Sequence, residues 1–176
     1  MKHTFTHTLF KAARAHLHLR AKVTGVSPSI ALLHEIADQF GYFYEDVSRL
    51  RHASVRHAYP LSYRMRYLMH KKYVCTRQIG NRLEVCLTAD GEARVLRDRL
   101  FAIKKRTKIG WIWLIIFDFP ERERVRRDLW RRYLKWLGIK YLQKSVWYTD
   151  RDIGLVLAEM IRRGGLSEWI QILEAR

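Results

Sequence analysis

The chain has 176 residues, 48% of them hydrophobic and 12% aromatic, the composition of a folded protein with room for one or two small domains. Its 34 Lys+Arg against 17 Asp+Glu leave a net charge of +17, an excess that points to a polyanion, nucleic acid first and an anionic membrane second. With two cysteines and no long apolar core or cleavage-site pattern at the N-terminus, we expect no disulfide framework, no secretory signal and a cytoplasmic protein with no membrane partner.

Residues 1–26 hold five basic residues and no acid. Phe5, Leu9, Ala13 and Leu17 recur at helical spacing, so this segment is read as a helix or as a tail ordered by DNA. His3 and His7 have helical spacing and His16 and His18 strand spacing, but neither pair has a nearby Cys or acid, and we assign no metal to them. Ser27-Pro28-Ser29 opens a helix carrying Leu32, Leu33, Ile36 and Phe40, ended by Gly41, and a short helix is expected near Glu45 to Leu50.

Charge is then distributed unevenly. Between Asp46 and Glu84 there is no acid, and nine of the seventeen net charges fall in those 37 residues: Arg49, Arg51, Arg56, Arg64, Arg66, Lys71, Lys72, Arg77 and Arg82. Within this window Pro60 begins a helix that runs to about Lys72, with Leu61, Met65 and Leu68 on one face and Tyr59, Tyr63, Arg66 and His70 on the opposite one. Val74 to Ile79 and Arg82 to Leu87 alternate around Gly80-Asn81, a hairpin signal. The turn sets Val74, Thr76 and Gln78 opposite Leu87, Val85 and Leu83, and Arg77 opposite Glu84. Cys75 faces Cys86 as a hydrogen-bonded pair with Cα atoms about 5.5 Å apart, a distance that permits a bridge although two thiols suit the cytoplasm better. Thr88 to Glu92 starts a helix through Val95, Leu96, Leu100 and Ile103.

Three helices, a two-stranded wing and a trailing helix over residues 27–105 make a winged helix-turn-helix. Its expected DNA-binding residues are Arg49, Arg51, Arg56, Tyr59, Ser62, Tyr63, Arg64, Arg66, His70, Lys71, Lys72, Arg77, Asn81 and Arg82. Arg66 and Tyr63 are expected to read bases and the lysines and wing arginines to meet phosphates. Residues 106–110 then read as a basic linker.

From Trp111 to Phe117 runs an apolar strand, too short to cross a bilayer and apolar on both faces, ending at Asp118. Pro120, Glu121 and Glu123 suit a first helical turn, and Val125, Leu129, Tyr133 and Trp136/Leu137 give the following helix an apolar face beside Arg124, Arg127, Arg131 and Lys135. Gly138 stops it; Lys140 to Thr149 reads as strand, kink, strand; about Asp150 to Arg163 as a second helix ended by Gly164-Gly165; and Trp169 to Leu173 as a last strand. The order β-α-β-β-α-β over residues 111–176 is ferredoxin-like, so the fold class is α+β. Two helices cover one face of such a sheet. We expect Trp111, Trp113, Ile115, Phe117 and Trp147 to occupy the other face and to form a homodimer interface.

The stretch Phe117-Asp118-Phe119-Pro120-Glu121, the arginine-rich helix, and Gly138 leading into Leu142-Gln143-Lys144-Ser145-Val146-Trp147 resemble the second domain of PaaX-type transcriptional repressors. That domain is itself similar to the small ferredoxin-like, nuclease-like protein of the CRISPR spacer-integration complex. The tract Arg64 to Val74 resembles the PaaX recognition helix running into its wing. The resemblance implies a dimeric repressor on a palindromic double-stranded DNA site, without cofactor. Its alternative implication is a CRISPR adaptation-type nuclease or integration subunit fused to a winged helix, with Asp118 as catalytic and metal-binding residue and Mg or Mn as cofactor. Against this, the residues favour a structural role, in which Asp118 caps the helix start or holds the strand-to-helix turn, one carboxylate per chain being a thin metal site. PaaX repressors carry a further C-terminal region and answer to an acyl-coenzyme A; this sequence stops at Arg176, so it is expected to be a truncated form, and no small-molecule effector is carried over.

Overall fold

The computed structural model describes residues 27–39, 45–47 and 60–176. The fold is α+β, and the described strands form two antiparallel sheets, one of three strands and one of four. The chain divides into two compact units, with the break between Val95 and Leu96.

In the first unit, α1 (Pro28–Gln39) starts with the Ser27 hydroxyl accepting the Ile30 N–H at 3.3 Å. Its Ile30, Leu32, Leu33 and Ile36 are buried. Phe40 and Gly41 lie outside the described residues. Glu45 and Asp46, expected to be helical, instead form a short strand, β1 (Glu45–Asp46), paired with Val85 and Glu84. A two-residue strand has no periodicity to read, and its acids look like a helix start. The recognition-helix candidate is α2 (Leu61–His70). Its end is a Schellman turn: Tyr73 N–H donates to Leu68 O and Lys72 N–H to Met69 O, both at 2.9 Å. Lys72 occupies the left-handed position of that turn with φ 57°.

The hairpin β2 (Val74–Ile79) and β3 (Arg82–Leu87) follows in the expected register, Val74↔Leu87 through Ile79↔Arg82. Gly80, with φ 57°, takes the first loop position, which needs a positive φ in a type II′ turn. Thr88 starts α3 (Ala89–Ala102): its hydroxyl accepts the Gly91 N–H at 3.1 Å and donates to Lys72 O at 2.5 Å. Ile30, Leu32, Leu33, Ile36, Val47, Met65, Leu68, Val74, Val85, Leu87 and Val95 make one core.

In the second unit, β4 (Ile112–Phe117), α4 (Arg124–Trp136), β5 (Lys140–Gln143), β6 (Val146–Thr149), α5 (Gly154–Arg163) and β7 (Ile170–Ala175) give the ferredoxin-like order. The sheet order is β5-β6-β4-β7, with β4 paired to β6 and β7. A short 3-10 turn, Glu121–Glu123, precedes α4, so Pro120 caps that turn rather than opening the α-helix. Helix α5 starts at Gly154, later than expected, because residues 150–152 are spent elsewhere. Thr107 N–H donates to Asp150 O at 2.8 Å and Asp152 N–H to Lys105 O at 2.9 Å. Lys105 pairs with Asp152 at 2.9 Å and Arg106 with Asp150 at 2.7 Å. The segment expected as a linker is therefore backbone-paired inside this unit.

Arg151 sits at the centre of that pairing. Its guanidinium donates to Leu137 O at 2.7 Å, to Ile103 O from Nε at 3.2 Å and from Nη2 at 3.0 Å, and to Leu100 O. These carbonyls belong to the last turns of α3 and α4, which have no partner of their own within the helix. Phe101 packs edge-on against Trp136, ring centroids 4.2 Å apart, beside the same junction.

Candidate nucleic-acid interface

Helix α2 has an apolar side, Met65 and Leu68, inside the first unit. Its outward side presents Ser62, Tyr63, Arg66, Met69 and His70, all exposed, with Lys71 and Lys72 exposed just beyond its end. Lys71 lies over the Tyr67 ring, 5.8 Å from its centroid. Arg64, expected to contact DNA, is instead buried, 1% exposed, with Nε and Nη1 lacking an acceptor among the described residues. It stands three residues after Leu61 and four before Leu68, which puts it on the flank of the apolar stripe. A contact to DNA through Arg64 is therefore not built into this geometry.

On the hairpin, Arg77 is engaged with Glu84 at 2.6 Å, as their opposite register positions dictate, and Arg82 lies 3.7 Å from Asp46 of β1. Asn81 is exposed at the turn, and Ile79 and Leu83 add exposed apolar surface that the sequence reading did not single out. Leu83 has an inward position of the alternation but lies at the hairpin's tip, beyond the reach of the core, and Ile79 has the parity of Cys75 and Arg77 on the outward side. Arg49, Arg51, Arg56 and Tyr59 lie outside the described residues.

In the second unit the two faces of the sheet are the reverse of the expectation. Trp113, Ile115 and Phe117 lie on the side covered by α4 and α5, and Ile115, Phe117 and Trp147 are buried. Gly154 of α5 rests on the Trp113 indole so closely that an added Cβ would fall 2.2 Å from its ring. Arg131 of α4 stands over Phe117, 5.8 Å from the ring centroid, and Tyr133 Oη meets Met160 Sδ at 3.2 Å between the helices. These residues therefore do not form a dimer surface, and Trp111, half-buried, precedes the strand. The opposite face carries Ile112, Leu114, Ile116, Val146, Tyr148 and Leu173, the last 48% exposed. Both faces of β4 are apolar, so alternation alone does not say which one the helices take.

Asp118 follows β4 directly; its side chain is exposed and its N–H donates to Trp169 O at 2.9 Å. No side-chain hydrogen bond caps the turn or helix that follows, so Asp118 is not the cap that the sequence suggested.

Residues 106–176 match the family of the PaaX protein central Cas2-like domain. No curated protein matches the chain. The Cas2-like match covers the whole of β4 to β7 and also the 106–110 segment that precedes them. It raises the question of a metal at Asp118. Among the described residues no group of three or more His, Cys, Asp or Glu side chains is placed to hold a metal ion. A single chain's donors thus do not fit a metal cage around Asp118. No described helix is long and apolar enough to cross a membrane.

Proposed function

We propose that the chain is a sequence-specific, double-stranded DNA-binding transcriptional regulator, acting as a dimeric repressor of the PaaX type. The observation that carries this reading is the outward side of α2, where Ser62, Tyr63, Arg66 and His70 are exposed and lead into Lys71, Lys72 and the wing. A helix entering a major groove needs donors on its outer side for base edges and cations at its margins for phosphates. The match of residues 106–176 to a PaaX domain supports the same reading. In this reading Arg66 and Tyr63 contact bases, and no cofactor takes part.

The dimer uses the sheet face that α4 and α5 leave, through Leu114, Tyr148 and Leu173. Two copies then meet a palindromic site. The test is fluorescence anisotropy on duplexes selected from random DNA. Arg66→Ala is expected to lose roughly 1–3 kcal/mol and its sequence preference. Retention of full specificity would overturn the assignment.

A second reading, a divalent-metal nuclease working with Mg or Mn, is favoured by the exposed Asp118 at the end of β4 in a Cas2-like domain. Incubation of duplex and single-stranded DNA and RNA with either metal decides between them. Cleavage by the wild type that disappears in Asp118→Asn establishes the enzyme. Binding without cleavage, unchanged in Asp118→Asn, establishes the regulator.

A further inference from the structure

We propose that Cys75 and Cys86 form a peroxide-oxidisable dithiol whose disulfide clamps the root of the wing. The two are the chain's full complement of cysteines, and the hairpin register sets them directly opposite each other. Their sulfurs are 2.8 Å apart, and the Cys75 thiol also approaches Cys86 O at 3.7 Å. The facing register is fixed by the turn at Gly80-Asn81, so it does not depend on side-chain rotamers. Cys75 is half-buried and reachable from solvent, whereas Cys86 is buried, 6% exposed. That division suits an attacking thiol and a resolving one.

The bland alternative is two small hydrophobes, and it predicts independent, slow oxidation of whichever sulfur is reached first.

The chemistry balances with hydrogen peroxide as the oxidant. The Cys75 thiolate attacks one peroxide oxygen, the O–O bond breaks, and hydroxide leaves, forming a sulfenic acid. The Cys86 sulfur then displaces hydroxide from that sulfur, and the S–S bond forms. Each hydroxide takes a thiol proton to become water, so two thiols and one peroxide give a disulfide and two waters. The sulfurs lose two electrons and the peroxide gains them. An external dithiol reverses the step by exchange.

The clamp acts at a particular place. Cys75↔Cys86 is one register step from the hairpin's base, Val74↔Leu87, and β2 begins just after the turn that ends α2. A covalent link there suppresses fraying of the two strands from the root. It leaves the tip, with Arg77, Asn81 and Arg82, anchored to the end of α2. The thiol chemistry stands whether or not the chain binds DNA.

The full-length, reduced protein is treated with a small excess of hydrogen peroxide, alkylated, and weighed intact without reductant. The expected product is a monomer that has lost two hydrogens and takes up no alkyl label, and that returns to two labelled thiols after dithiothreitol. Hydrogen exchange of the amides of residues 74–87 slows about tenfold in that product. Cys75→Ser and Cys86→Ser each gain oxygen or label and never lose two hydrogens. Oxygen addition to the wild type without loss of two hydrogens, persistence of both labelled thiols, or a covalent dimer would each overturn the proposal. A disulfide that forms but leaves exchange unchanged would overturn the clamp.

Discussion

Replacing Arg151 by methionine is the sharpest test of how the second unit is held together. The guanidinium serves three last-turn carbonyls, Leu100, Ile103 and Leu137, across four N–H···O contacts. Methionine keeps an unbranched apolar stem and removes every donor. A hydrogen bond from a charged group contributes about 1.5–3 kcal/mol, and the positive charge at two helix C-termini adds about 0.3–1 kcal/mol for each. Arg151 is only half-buried, so water recovers part of this at the exposed carbonyls. Allowing about 1 kcal/mol per carbonyl after that recovery gives a loss near 3 kcal/mol. In a unit of this size that lowers Tm by roughly 12–24 °C. Arg151→Lys, a point charge without the planar fork, should fall between the two. All six tryptophans, from Trp111 to Trp169, lie in this unit, so their fluorescence during urea or thermal unfolding reports it selectively. A loss below about 0.5 kcal/mol for Arg151→Met would refute the reasoning and show the carbonyls to be satisfied by water.

Gly154→Ala should destabilise the same unit by about 1–3 kcal/mol, since the new methyl would sit 2.2 Å from the Trp113 ring; tryptophan emission and Tm report both the shift and the cost. Lys72→Gly should stabilise the first unit by about 1 kcal/mol by relieving a left-handed lysine, yet weaken DNA binding and make its salt dependence shallower by about one unit of slope, as circular dichroism and anisotropy would show. Leu173→Asp changes an exposed position of β7 and should turn a dimer into a monomer in sedimentation at unchanged Tm; a dimer that survives would move the interface elsewhere. The hydrogen bond from Arg162, outweighing partial burial, holds the Glu159 carboxyl below its ordinary value. That stabilisation is present at neutral pH and is lost as pH falls through the lowered value, so Glu159→Gln should flatten the acid limb of the stability profile slightly.

The first unit's hairpin was legible to the residue because a two-residue loop at Gly80-Asn81 leaves one register, and parity then assigns every side chain. The second unit's helices and strands were legible from periodicity and from glycine stops. The covered face of its sheet was not, because Ile112, Leu114 and Ile116 alternate with Trp113, Ile115 and Phe117 and both sets are apolar. Aromatic size suggested an interface, yet the larger side chains went under the helices, where Gly154 leaves room for an indole. The 106–110 segment read as a linker from its charge, because its restraints, backbone pairings with residues 150–151 and the Arg106–Asp150 ion pair, join residues too far apart in sequence for local patterning to announce. Arg151 was invisible for the same reason: its partners are carbonyls.

The basic window shows what counting charges leaves out. Among its described cations, Arg64 is buried, and Arg77 and Arg82 face Glu84 and Asp46. Arg66, Lys71 and Lys72 remain exposed with no ion pair among the described residues. Three cations in each of two protomers neutralise about six phosphates, and log affinity should then fall with log salt at a slope near −5. Arg77 and Arg82 add little to that slope, because a cation already facing a carboxylate releases fewer counterions on meeting a phosphate. Alanine at Arg77 should therefore move the slope less than alanine at Lys71, although both lie in the same acid-free run of sequence. A slope much steeper than −5 that Lys71→Ala leaves unchanged would assign the phosphate contacts to residues 48–59, where Arg49, Arg51 and Arg56 lie, instead of to α2 and its C-terminal turn.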